Sequence, residues 1–142
     1  MSREIIFRGK SEVTNEWVYG SLVKVGNESH IVGFDEVDLD GHHLSYCSDR
    51  PIFTKQGTIG QFTGLTDKKG REIYEGDVLR INNGAVICLL VVTWNAEVGS
   101  WCLRFKEELK EGTRPLGRWL CDRDYDIELT GNIYDNKELL EE

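Results

Sequence analysis

The sequence is short of proline, of long apolar runs and of any ordered cysteine pattern. Only 2 of its 142 residues are proline, against 15 glycines. Scarce proline excludes polyproline linkers, and frequent glycine points to many turns between strands. No apolar run approaches the ~20 residues that cross a bilayer as a helix, so no membrane association is expected. The first residues, MSREIIFRGK, show no apolar signal core and no small-residue cleavage site. The chain therefore reads as cytoplasmic. None of Cys47, Cys88, Cys102 and Cys121 pairs with another at CxxC spacing. Disulfides are not expected in a reducing compartment, and Cys88 and Cys102, inside apolar runs, read as buried, inert thiols. Cations are outnumbered too: 17 Lys and Arg stand against 25 Asp and Glu, a formal net charge of −8. That balance disfavours binding to a phosphate backbone, where cations supply most of the affinity.

Catalytic signatures are missing as well. Thr63-Gly64-Leu65-Thr66-Asp67 offers glycine and hydroxyls, but no Gly-Lys-Ser/Thr follows to make a Walker loop. The turn reading is therefore preferred there. Ser45 beside His43 lacks the elbow that exposes a hydrolase serine. The acidic run Asp35, Glu36, Asp38, Asp40 fits neither register of a calcium loop: position three or position twelve fails in each. It reads as an exposed acidic loop. The most ligand-rich segment holds His42, His43 and Cys47. Its spacing is not that of a zinc finger or ribbon, and adjacent residues on a strand point to opposite faces. No catalytic residue, cofactor or metal ligand is assigned, and the chain reads as non-enzymatic.

The densest turn chemistry lies in residues 61–79, QFTGLTDKKGREIYEGDVL. Asp67-Lys68-Lys69-Gly70 reads as a tight turn: Asp bonds its own backbone two residues on, and Gly accepts positive φ. Glu75-Gly76-Asp77 reads as a second turn, with the Asp bracing it. Strands are expected at 4–8, 17–23, 30–34, 59–62, 71–74, 78–81, 85–94, 101–105 and 125–130. Asn82-Asn83-Gly84 reads as a hairpin with Asn83-Gly84 at its centre, making 79–105 a three-stranded antiparallel unit. Residues 106–112 read as a helical turn or a mobile charged insertion. A short helix should follow Asp135 or Asn136 as cap.

At these residues the chain resembles a known family. Thr63-Gly64-Leu65, Asp67, Gly70 and Ile73-Tyr74-Glu75-Gly76-Asp77 resemble the central pattern of the YopX protein family of phages, prophages and related mobile elements. Arg3-Glu4-Ile5-Ile6-Phe7-Arg8-Gly9 with Trp17-Val18-Tyr19-Gly20 is similar to its N-terminal pattern. Leu129-Thr130-Gly131-Asn132-Ile133-Tyr134-Asp135-Asn136 with Leu139-Leu140 is similar to its C-terminal one. Stretches near 30–50 and 85–125 carry none of this. The resemblance implies a phage or prophage setting and no established activity, so no catalytic residues carry over.

The fold class is mainly β: antiparallel meanders forming two β-rich lobes, a bent sheet or small barrel, with a short C-terminal helix. Residues 1–142 form one domain, with an N-terminal β lobe at 1–60 and a barrel-like lobe at 61–142. Three function classes are carried forward. One is a protein acting by contacts with an unknown protein partner or by self-assembly into a homo-oligomer. Another is a nucleic-acid-binding small β-barrel, resting on Glu75-Gly76-Asp77-Val78 and on exposed aromatics for stacking; a contiguous basic surface around Lys68, Lys69, Arg71 and Arg80 would favour it, and the acidic total argues against it. A third is a small metal-dependent hydrolase using His42, His43 and Cys47.

Overall fold

The computed structural model describes residues 4–37, 43–47, 53–105 and 112–140, with 33–37 and 43–47 entering by backbone alone. The chain divides into two compact units, Met1–Phe62 and Thr63–Glu142. The fold is mainly β, with two antiparallel sheets and little helix.

In the first unit, β1 (Phe7–Lys10), β2 (Trp17–Val25), β3 (Glu28–Val37) and β4 (His43–Cys47) form a meander. The start of β5 (Gly60–Thr66) pairs with β1 through Gly60 and Gln61, giving the order β4-β3-β2-β1-β5. Gly26-Asn27 joins β2 to β3, with Val25 opposite Glu28. A two-residue hairpin with glycine first needs positive φ at that glycine alone, and Gly26 has φ 65°. Gly9 lies where a Cβ would strike Thr54 Cγ2, with Ile59 Cγ1 at 3.1 Å. Only glycine fits this packing of β1 against residues 54–59.

The second unit receives the end of β5, then β6 (Glu72–Tyr74), β7 (Asp77–Asn82), β8 (Ile87–Asn95), β9 (Ser100–Phe105), α1 (Leu116–Cys121) and β10 (Asp126–Asn132). A single 3-10 turn at Lys137–Leu140 closes the described chain. The sheet order is β10-β7-β8-β9, an open antiparallel sheet. Among the described residues the sheet is open and no barrel closes. Four strands leave β10 and β9 as edges, whereas closure needs more strands and matched shear. Cross-strand pairs Leu79↔Leu90, Ile127↔Ile81 and Val92↔Leu103 put one apolar face together. That face builds a core of Ile73, Leu79, Ile81, Leu90, Val92, Leu103, Leu116 and Ile127. Leu116, 1% exposed, is the contribution of α1.

Several strand bounds differ from expectation. The first strand starts at Phe7, because its partners are residues 17–20 and 60–61 rather than the apolar triplet at 5–7. Asp35 and Glu36 continue β3, where Glu36 stands opposite Leu44, so pairing overrides the acidic composition there. Asp38 and Asp40 lie outside the described residues. Thr63-Gly64-Leu65-Thr66 belongs to β5, with Gly64 at φ 85°, and the turn starts only at Asp67. The β7–β8 turn centres on Gly84-Ala85, one residue later than expected: Asn83 N donates to Val86 O at 3.2 Å, and Gly84 has φ 92°. Cys102 is buried but Cys88 is half-buried. The expected strands at 78–81, 85–94 and 101–105 do form the antiparallel unit β7-β8-β9.

Candidate functional site

The turn after β5 is built by one carboxylate. Asp67 N donates to Arg71 O at 2.9 Å, and Gly70 N to Asp67 O at 2.9 Å. The Asp67 side chain is fully buried. Its Oδ1 accepts Lys69 N at 3.0 Å and Arg71 N at 2.9 Å. Its Oδ2 accepts Arg71 Nε and Nη2, each at 2.8 Å, and Leu129 N at 3.2 Å. Leu129 stands opposite Leu79 on β10, so this carboxylate covers part of the outer edge of the sheet. Unpaired edge amides invite strand addition, and Asp67 closes one of them. Burial pushes the Asp67 carboxyl up, but the hydrogen bonds from Arg71, Leu129 and Lys69 outweigh it and hold the group below its usual range.

Lys68, Lys69, Arg71 and Arg80, whose contiguous surface would favour nucleic-acid binding, converge here. Each, however, has a carboxylate partner. Lys68 pairs with Asp126, Lys69 with Glu128 at 2.7 Å, Arg71 with Asp67, and Arg80 with Glu128 at 3.8 Å. Hydrogen bonding to Asp126 raises the Lys68 ammonium above its ordinary range. The Lys69 ammonium likewise holds the Glu128 carboxyl down. Asp126 and Glu128 come from the polar side of β10, whose other side carries Ile127 into the core. Four cations thus face three carboxylates, Glu128 serving two of them, so most of the positive charge is neutralised locally.

The second turn is braced as its residues suggest. Tyr74 N donates to Asp77 Oδ2 at 2.7 Å, and Asp77 is 2% exposed. Gly76, at φ 88°, donates to Val92 O and accepts from Ile133 N, each at 3.0 Å. At the C-terminal end, Asn132 Oδ1 accepts Tyr134 N at 2.9 Å and Asp135 N at 2.8 Å. Asn136 Oδ1 accepts Asn132 N at 3.1 Å. The central and C-terminal pieces of the family resemblance thus meet, through Asp67–Leu129 and Gly76–Ile133. Their polar atoms are engaged in shaping backbone.

Elsewhere in this unit lies a feature the sequence reading left unassigned. Trp94 and Trp101 are cross-strand partners at the β8–β9 hairpin end, edge to face at 5.0 Å. Phe105, opposite Leu90 and four register positions along, lies on the same side of the sheet, the side whose Leu90, Val92 and Leu103 enter the core. Trp94 is 44% and Phe105 50% exposed. A cluster around α1 was also missed: Arg114 stacks on Trp119 at 4.5 Å and donates to Asp122 Oδ2 at 2.6 Å. This hydrogen bond lowers the Asp122 carboxyl. Pro115 followed by apolar Leu116, Trp119 and Leu120 was the available helical signal.

Of the proposed metal ligands, His42 lies outside the described residues, and His43 and Cys47 enter only as positions four apart on β4. Residues 106–111, read as a helical turn or insertion, also lie outside them. Among the described residues, no group of three or more His, Cys, Asp or Glu is placed to hold a metal. Nor is any helix among them long and apolar enough to cross a membrane.

Among the described residues, the second unit is an open antiparallel sheet whose turns are braced by their own Asp and Asn side chains. The YopX protein family model matches residues 6–141, and the chain belongs to that family. No curated protein matches the chain. Its fold is similar to the crystal structure of protein EF1440 from Enterococcus faecalis. The TM-score is 0.54 at 21% identity, with 99% of this chain and 100% of that chain covered.

Proposed function

We propose that this YopX-family chain is a non-enzymatic, cytoplasmic, phage-type protein that acts through protein contacts, its first partner being a second copy of itself. The observation that carries the reading is a pair of half-exposed aromatics, Trp94 and Phe105, at the two ends of the core-facing side of β8 and β9. Trp94, held edge to face by Trp101, and Phe105 present large rigid apolar groups to solvent. Such residues are the usual anchors of protein interfaces. The ranking over a nucleic-acid-binding module rests on charge: Lys68, Lys69, Arg71 and Arg80 are matched by Asp67, Asp126 and Glu128. Cations already paired have less to offer a phosphate backbone. The metal-hydrolase reading falls on His42, His43 and Cys47, whose side chains lie outside the described residues.

Light scattering behind size exclusion, at two ionic strengths with absorbance at 260 and 280 nm, tests this. The expected result is a defined oligomer free of 260 nm material, whose mass falls towards the monomer in Trp94→Ser and Phe105→Ser. A monomer carrying salt-removable 260 nm material would overturn the ranking in favour of nucleic acid. Metal analysis of untagged protein addresses the hydrolase alternative, and stoichiometric zinc would revive it.

A further inference from the structure

In the first unit, His30 is 1% exposed and both ring nitrogens are engaged. Thr54 N donates to His30 Nδ1 at 3.0 Å. A backbone amide only donates, so Nδ1 carries no proton and the ring hydrogen sits on Nε2. Nε2 donates to Glu28 Oε2 at 3.1 Å. The ring also meets Phe53 edge to face at 5.3 Å. Thr54 makes a second bond to the same strand: its Oγ1 accepts Ile31 N at 3.2 Å. Residues 53–58 thereby lie as a strap along β1 and β3. Glu12 N donates to Phe53 O at 2.9 Å and Lys55 N to Lys10 O at 2.8 Å. Lys10 N donates to Thr58 Oγ1 at 3.1 Å, and Gln56 Nε2 to Ser29 O at 2.9 Å.

We propose that His30 is a protonation-sensitive latch on this strap, and that acid releases the Thr54 end from β3. Protonating Nδ1 sets its new N–H against the Thr54 N–H, two donors face to face. A buried imidazolium with one donor unmatched is costly. Glu28 offers the charged ring an opposite charge, but its side chain is 62% exposed, so solvent screens that gain. Among the described residues, the other neighbours offer the charged ring no carboxylate. On β2, Val23 stands opposite His30. Lys10 of β1 and Lys55 of the strap direct their ammonium groups to Asn15, and the Arg8 guanidinium lies over Trp17. Proton uptake and release of Thr54 are therefore coupled, and acid selects the open form. Opening uncovers Ile31, fully buried where Thr54 and Ile59 meet it over Gly9.

Hydrogen exchange of the full chain by NMR, followed from neutral pH down to about pH 5, tests the latch. Once intrinsic rates are corrected, protection at the Thr54 amide should fall about tenfold, the scale of one lost hydrogen bond. The fall should track the His30 ring nitrogen shifts, while Val91 on β8 stays protected. His30→Asn keeps an acceptor near the Nδ1 position without a titrating proton, so its Thr54 protection should stay flat. Constant Thr54 protection while the ring protonates would overturn the proposal. So would a ring that stays neutral until the whole chain unfolds. Both readouts come from the wild-type protein, so the test survives a variant that does not fold.

Discussion

Replacing Asp67 with alanine is expected to destabilise the second unit by about 1–3 kcal/mol, the range for leaving buried hydrogen-bonding groups unsatisfied, since the Arg71 guanidinium, 43% exposed, can turn to water. The carboxylate receives Lys69 N, Arg71 N, Arg71 Nε and Nη2, and Leu129 N. Alanine removes the shared acceptor of all of these donors at once, and the part-buried backbone amides among them carry a desolvation cost. It also reopens the β10 edge at Leu129. Urea unfolding followed by tryptophan fluorescence reads the effect well, since Trp94, Trp101 and Trp119 all belong to this unit. A loss below about 1 kcal/mol, an ordinary surface substitution, would show that the turn does not depend on its carboxylate. Asp67→Asn should lie between, keeping an acceptor but losing the charge beside Arg71.

The same group sets an acid dependence. Its folded carboxyl is held below the usual range, so its contribution is complete above the unfolded value, near 4. That contribution is lost as pH falls through the lower, folded value. The wild-type protein should therefore lose stability as pH drops below about 4, and Asp67→Asn should show a shallower decline there. Glu128 and Asp122 shift the same way. Their pairs are solvent-accessible and screened, so Asp67 should dominate the difference between the two proteins.

Local chemistry was the legible part of this protein. Asp67 bonding forward to Lys69, Gly70 closing the turn and Asp77 bracing the next one are short-range effects carried by residue type. What Asp67 does at long range was not legible, because its bond to Leu129 spans 62 positions. The cations show the same divide. Lys68, Lys69, Arg71 and Arg80 were grouped from the sequence, and they do share a surface. Their partners Asp126 and Glu128 were visible only as the polar side of an alternating strand. That this side faces the cations follows from the pairing of β10 with β7, where Glu128 stands opposite Arg80. Edges and ends were hardest. Asp35 and Glu36 are strand residues because β4 pairs beside them, a fact their composition argues against. In α1, one turn and a half of helix offered a periodic signal too short to stand out against its polar flanks.

Replacing Gly76 with alanine should cost about 2–4 kcal/mol, from two separable sources. The first is backbone: Gly76 sits at φ 88°, where an L side chain is strained by about 1–2 kcal/mol. The second is space. A Cβ at this position would lie 3.1 Å from Tyr134 Cε2 and 3.6 Å from its Oη, so the ring or the turn must shift. Gly70→Ala separates the two, since Gly70 has φ 80° but nothing within 4 Å of its Cβ position. It should show the strain alone. The difference between the variants then measures how tightly the C-terminal segment presses on the β6–β7 turn. A double variant, Gly76→Ala with Tyr134→Leu, should recover part of that difference, because neighbours in contact are not additive. Equal losses at positions 70 and 76 would mean that Tyr134 yields freely, and that the segment is held mainly by the Ile133–Gly76 hydrogen bond. Unequal losses would make the ring a packing element of the turn, tying the glycine of the central motif to the tyrosine of the C-terminal one.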